Sequence, residues 1–175
     1  LVGHSTGAIY IAEFLKKAQS LLAGQGFDVV FLAPASRFDL AATMLRNQGG
    51  LINEFRLFAM TDANERADRL VPVLYPHSLL YFVSGVVEGG EDVPIVGMQR
   101  FFDAVRFPPA EFPDVDTVRT FVNQSPQRAV WSVSTGQAAG LNSASLKHGD
   151  FDNEAETLAS LAELARTGLK CPPAL

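Results

Sequence analysis

Gly3-His4-Ser5-Thr6-Gly7 stands two residues into the chain, just ahead of an apolar-periodic run that begins at Ala8. It reads G-x-S-x-G, the nucleophile-elbow pattern, in which a serine rides a sharp turn between a buried strand and a helix. The chemistry such a turn serves is attack by a hydroxyl on an acyl carbon. The turn strains the serine's backbone, so the two glycines are expected to let strand and helix approach closely. The following helix points free N–H groups and a partial positive charge at the place where an oxyanion forms. Three fixed positions of common residue types arise by chance in roughly one chain in twenty of this size. Context must therefore carry the rest.

A serine hydroxyl is a weak nucleophile until a base takes its proton, and the base is ordinarily a neutral imidazole held by a carboxylate. His148, in Lys147-His148-Gly149-Asp150-Phe151, follows a Gly- and Ser-rich stretch over 135–147 and is the candidate base. His4 sits inside the elbow, where a supporting or substrate-facing role is open to it. His77, in Tyr75-Pro76-His77-Ser78, reads as a helix start. Candidate acids are Asp62, Glu65 and Asp68 in one polar stretch, with Asp92 further on. The same stretch also reads as a solvated charged loop. Phe82, Phe107, Phe112 and Trp131 are expected in the core. Phe101 and Phe102 fall in an irregular segment and are candidates to line a substrate cleft.

The elements that must position these residues follow from periodicity. Leu1-Val2 is the end of a strand. Ile11, Phe14, Leu15, Ala18, Leu21 and Leu22 recur at helical spacing, which predicts a helix over 8–22 ended by Gly24 and Gly26. The Val- and Phe-rich run over 27–33 predicts a strand buried on both faces. Ser36 is expected to cap a helix over 39–47, with Gly49-Gly50 ending it. A second strand follows over 55–60, then a polar loop over 62–69 and a helical stretch near 77–87. Gly89-Gly90, Pro94, Pro108-Pro109 and Pro113 break the segment 88–119, which predicts short helices over 98–105 and 115–123 and a lid or edge insertion. A third strand over 128–134 precedes a closing helix over 154–166 with Leu158, Leu161, Leu164 and Ala165 on one face. Such alternation implies an α/β fold, a mostly parallel sheet with flanking helices. Ligands of such sheets sit beyond the carboxyl ends of the strands. Ser5, Asp62 and His148 each follow a strand.

Composition bounds the function classes. The 175 residues suit one domain, and 47% hydrophobic residues, thirteen of the chain's residues being Phe, suit a packed core. A net charge of −5 without a basic cluster argues against nucleic acid as a partner. The longest apolar run, 79–83, is too short to span a bilayer. One cysteine, Cys171, permits no internal disulfide. Scattered histidines and the lack of C-x-x-C or H-x-x-x-H spacing argue against a metal site. The chain opens on Leu1, and the expectation is a piece of a longer protein whose earlier part supplies the first half of the sheet. With no signal segment in view, a cytoplasmic location is expected.

Three segments together resemble the C-terminal half of an α/β-hydrolase: Gly3-His4-Ser5-Thr6-Gly7, Met60-Thr61-Asp62, and Lys147-His148-Gly149-Asp150-Phe151. The resemblance spans nearly the whole chain in element order, and only the first segment is specific as a motif. It implies a serine hydrolase for a small ester-like substrate, with no cofactor and an acyl-enzyme intermediate. Ser5 would be the nucleophile, His148 the base, Asp62 the acid and the Thr6 N–H an oxyanion donor, with His4, Phe101 and Phe102 near substrate. Glu65 or Asp68 takes the acid's place if the strand ends later. One departure is the long stretch between Asp62 and His148. An amidase or thioesterase on the same fold, and a truncated hydrolase-like interaction domain, are the alternatives.

Overall fold

Successive side chains of a strand face opposite ways, so a strand without polar alternation must be covered on both sides. Residues Phe27–Leu32 form such a strand, with Val29 and Phe31 in one hydrophobic cluster and Val30 and Leu32 in another. The computed structural model describes residues 1–22, 24–70 and 75–169. Its elements in chain order are β1 (Val2–His4), α1 (Gly7–Ala18), β2 (Phe27–Leu32), α2 (Phe38–Gln48), β3 (Ile52–Met60), α3 (Asp62–Ala67), α4 (Leu79–Phe82), α5 (Pro113–Asn123), β4 (Ala129–Ser132) and α6 (Ala155–Thr167). The four strands lie in the order β1-β2-β3-β4 and every neighbouring pair is parallel. The fold is α/β, as the alternation predicts.

Helices α1, α2 and α5 cover one face. Ile11, Leu15, Ala42, Met44, Val115 and Val118 join Phe31, Phe55 and Leu57 in the larger cluster. The other face is covered by Phe151 and by Leu164 of α6, packed on Val30, Phe58, Met60 and Val130. A sheet that grows strand by strand in one direction keeps its right-handed crossovers on one face. The opposite face is left to whatever follows the last strand, and here that segment carries His148.

Several boundaries differ from the sequence reading, each for a local reason. Helix α1 ends at Ala18, and Leu21, counted into its stripe, is 83% exposed. Ser36 does not cap α2; Arg37 holds the cap position, and the buried Ser36 hydroxyl donates to the Arg37 carbonyl at 3.3 Å. Strand β3 starts at Ile52 rather than residue 55. The polar stretch 62–69 is not simply a loop: Thr61 Oγ1 accepts from the Asn64 N–H at 3.4 Å, and Asp62 and Glu65 in the first turn favour the helix N-terminus. Helix α4 starts at the Ser78 cap and runs into a π turn, Val83–Val87. Within 88–119 the helical pieces are a 3-10 turn, Gln99–Phe102, and α5, while Ile95, Val96, Met98 and Phe107 sit in the larger core cluster. Helix α6 buries Thr157, Ser160 and Leu164, whereas Leu158 and Ala165 are exposed. Cys171 and residues 71–74 lie outside the described residues.

Candidate functional site

At the end of β1 the backbone turns sharply. Ser5 has φ 54°, in the left-handed region that non-glycine residues rarely adopt. Three hydrogen bonds hold it there. Its N–H donates to the Leu32 carbonyl at 2.9 Å, and its carbonyl accepts from Ala8 N at 3.3 Å and Ala35 N at 3.0 Å. A Cβ at Gly3 would fall 2.7 Å from the Gly7 carbonyl group and 2.8 Å from Ile11 Cδ1, so only glycine fits there. At Gly7 a Cβ would meet nothing within 4 Å. Close approach therefore requires the first glycine and not the second, a correction to the expectation for the pair. The Ser5 hydroxyl is half-exposed and hydrogen-bonds to no described residue. Thr6 occupies the N-cap of α1, and its N–H donates to no described acceptor.

His148 opens a 3-10 turn, His148–Asp150. The Asp150 carboxylate holds that turn by accepting from Leu146 N and Lys147 N, each at 3.0 Å, and the fully buried Phe151 anchors it to the sheet. The ring of His148 stacks on that of His4, with centroids 5.2 Å apart and planes at 29°. His4 Nε2 lies 3.0 Å from the His148 carbonyl oxygen. A carbonyl only accepts, so Nε2 is the donor. On the far side of His4, Nδ1 is 3.6 Å from the Asp152 carboxylate. No sequence signal singled out Asp152. Its offset of four residues from His148, across a tight turn, is the only cue that could have found it.

Both ring nitrogens of His148 are buried and have no hydrogen-bond partner among the described residues. Burial, reinforced by His4 and opposed by Asp152, pushes its imidazole down to about 4. The ring is therefore neutral at pH 7 and able to accept a proton.

The three acids of the polar stretch have separate fates. Asp62 accepts from the Tyr81 hydroxyl at 2.7 Å and pairs with Arg66 at 2.9 Å. It lines a polar cavity of about 460 Å³ with Phe102, Arg100, Arg106 and Trp131. No described hydrogen bond or ion pair joins Asp62 to His148. Glu65 is fully buried and accepts from the Ser78 hydroxyl. Burial pushes its carboxyl up to about 8 against the lowering effect of that bond, with Asp68 and Asp62 adding to the rise. Asp68 ends the stretch, and its Oδ2 accepts the backbone N–H of His148 at 3.1 Å.

The structure thus gathers Ser5, Thr6, His4 and His148 at one corner, with Asp68 on the His148 backbone. Asp62 stands apart with the cavity. Phe101 has no exposed surface and packs against Phe38 and Phe107, so it is a core residue rather than part of a cleft wall. Phe102 is half-buried, faces the cavity and packs edge-on to Trp131 at 5.1 Å.

Among the described residues no helix is long and apolar enough to cross a membrane, and no group of three or more His, Cys, Asp or Glu side chains could hold a metal ion. Compared with protein-family models, curated proteins and solved structures, the chain matches none.

Proposed function

We propose that this chain is a serine hydrolase of the α/β-hydrolase type that cleaves carboxylic esters through an acyl-enzyme. The observation that carries the reading is the pairing of a strained Ser5 at a strand-to-helix turn with a neutral, buried His148 stacked on the residue beside it. A non-glycine residue in the left-handed region persists only where its surroundings over-determine it, and such residues cluster at active sites. A buried imidazole with two unsatisfied nitrogens is a second departure from ordinary packing.

In the proposed reaction Ser5 Oγ attacks the acyl carbon and a ring nitrogen of His148 takes its proton. The oxyanion is stabilised by the Thr6 N–H at the N-terminus of α1. The intermediate collapses as His148 returns the proton to the leaving alcohol. Water, deprotonated by His148, then releases the acid and regenerates Ser5. No described hydrogen bond joins Ser5 to His148, and catalytic bonds are often long until substrate arrives. Of the acids left open by the sequence, the proposal takes Asp68. Its carboxylate already touches the His148 residue, whereas that of Asp62 is engaged by Tyr81 and Arg66. A carboxylate brought onto the His148 ring would also raise a proton affinity that burial has lowered.

The test is labelling of the full chain with a fluorophosphonate, alongside hydrolysis of a chromogenic short-chain ester. Labelling is expected at Ser5, to be absent in Ser5→Ala, and to fall on the order of a hundredfold or more in His148→Ala and Asp68→Asn but not in Asp62→Asn. Loss in Asp62→Asn with Asp68→Asn unaffected would return the acid to Asp62. A folded chain that is neither labelled nor active would refute the hydrolase reading. Equal rates on the matching amide would widen the substrate class.

A further inference from the structure

We infer that His4 is a positioning residue: through its hydrogen bond to the His148 carbonyl and its ring stack on His148, it fixes the candidate base relative to Ser5. The inference rests on the hydrolase reading for its kinetic consequence, while the geometry behind it stands independently.

His4 is the last residue of β1 and is covalently joined to Ser5, whose backbone is held on both sides by Leu32 and Ala35. Its Nε2–H reaches the carbonyl of His148 at 3.0 Å across 144 residues of chain. The ring centroid lies 5.2 Å from that of His148, and Nδ1 faces Asp152, four residues beyond His148, at 3.6 Å. One side chain therefore ties the strand end to both limbs of the turn that carries the base.

The remaining holds on this turn are Asp68 on the His148 N–H, Asp150 on the preceding amides, and the burial of Phe151. They keep the turn folded, and their hydrogen bonds go to backbone N–H groups rather than to the His148 ring. A misplacement near 1 Å of a reacting group can cost on the order of a hundredfold in rate. The role assigned to His4 therefore predicts an effect on kcat and not on KM. A substrate-facing His4 predicts the reverse.

Three variants separate the contributions. Phe at position 4 keeps a stacking ring and removes the donor; Gln places an Nε2–H at similar reach and removes the ring; Asp152→Asn removes the charge behind His4. In ester hydrolysis by the full chain, His4→Phe is expected to lower kcat about 10- to 100-fold with KM little changed. His4→Gln should recover most of that loss, and Asp152→Asn should fall slightly in the same direction. A rise in KM at constant kcat would place His4 at the substrate instead, and native kcat in both His4 variants would overturn the inference. Should the native chain prove inactive, NMR of the ring protons of its histidines reads the positioning directly. His148 signals that are sharp in the native chain and in His4→Gln but broadened in His4→Phe support the inference. Signals unchanged among the three refute it, whatever the fate of the hydrolase reading.

Discussion

From the end of β4 to the first turn of α6 the chain holds two kinds of buried polar group, only a few residues apart. Ser132, Ser143, Ser145 and Thr157 are all completely buried, and every one of their hydroxyls has a partner. Ser132 Oγ donates to the Ser145 carbonyl at 2.6 Å, while Thr157 Oγ1 meets Ser143 Oγ at 2.8 Å and Glu154 Oε2 at 2.8 Å. Burial alone would raise the carboxyl of Glu154. Bonds from the N–H groups of Glu156, Ala144 and Thr157 and from the Thr157 hydroxyl instead hold it down at about 2. Three residues beyond Ser145 comes His148, also buried, with neither ring nitrogen satisfied. A chain able to satisfy four hydroxyls in this space had the means to satisfy an imidazole. The difference marks the first group as structural, and it makes the second a departure from ordinary packing that the proposed role as a base would explain.

The largest expected effect sharpens this contrast. His148→Ala should leave stability within about 1 kcal/mol of native, because the packing lost is offset by removing an unsatisfied group. Labelling of Ser5 should nevertheless fall by about 10²- to 10⁴-fold. The native labelling rate should itself hold down to pH about 4 and decline below it, since protonation of a ring pushed down to about 4 removes the base. A decline centred near the ordinary histidine value would contradict the burial described. The reverse behaviour is expected of Thr157→Val. It strands the Ser145 hydroxyl and takes one bond each from the Ser143 hydroxyl and Glu154 Oε2, which keep their bonds to Ser132 and to the Ala144 and Thr157 N–H groups, and should lower stability by about 1–2 kcal/mol in urea unfolding. Its labelling per folded molecule should match that of the native chain. If His148→Ala unfolds the protein, or Thr157→Val silences it while folded, the two groups are not distinct in kind.

How much of this was legible beforehand follows the same division. Continuous apolar runs such as Val29–Leu32 declare a strand covered on both faces, and the order of strands and helices then fixed a parallel sheet. Gly3 could be read because a close approach leaves no room for any side chain. The buried face of α6 could be read from hydropathy only in part. Leu164 is buried and Leu161 packs beside it as the periodicity expects, but Thr157 and Ser160 are polar residues placed inside by partners in the preceding loop, so hydropathy counted Leu158 and Ala165 into the face in their stead. The acids were ambiguous for a related reason. Asp62, Glu65 and Asp68 lie within seven residues of one another, but the turns of α3 and its exit send them to Tyr81, Ser78 and His148 respectively. Local sequence does not encode those destinations.

Glu65 extends the comparison to an orphan of another sort. Its Oε1 is buried without a partner among the described residues, as the ring nitrogens of His148 are, yet it lies on the buried side of α3 against Ser78. With a carboxyl pushed from 4.5 up to about 8, the folded chain retains a proton that the unfolded chain has released throughout that interval. The stability tied to that proton is fully present below pH about 4.5 and is lost as pH rises toward 8. Glu65→Gln has no such titration and keeps an oxygen for the Ser78 hydroxyl. Its urea midpoint should equal that of the native chain near pH 4 and exceed it at pH 8. Parallel curves across this range would show that Glu65 is ionised in the fold and has a partner that its surroundings do not reveal.

The smallest effect concerns strain rather than hydrogen bonding. Ser5 is held at φ 54° by bonds from its own backbone, so the strain remains whatever side chain it carries. Glycine reaches that conformation freely, which relieves about 1–2 kcal/mol, but it also loses more freedom on folding, by about 0.5–1 kcal/mol. Ser5→Gly should therefore stabilise the chain by up to about 1.5 kcal/mol while abolishing labelling. Ser5→Ala, which keeps the Cβ, should abolish labelling with no such gain. Stabilisation by glycine and not by alanine would separate the cost of the turn from that of the hydroxyl. Equal stability of the two variants would mean that the left-handed turn at Ser5 carries no net strain.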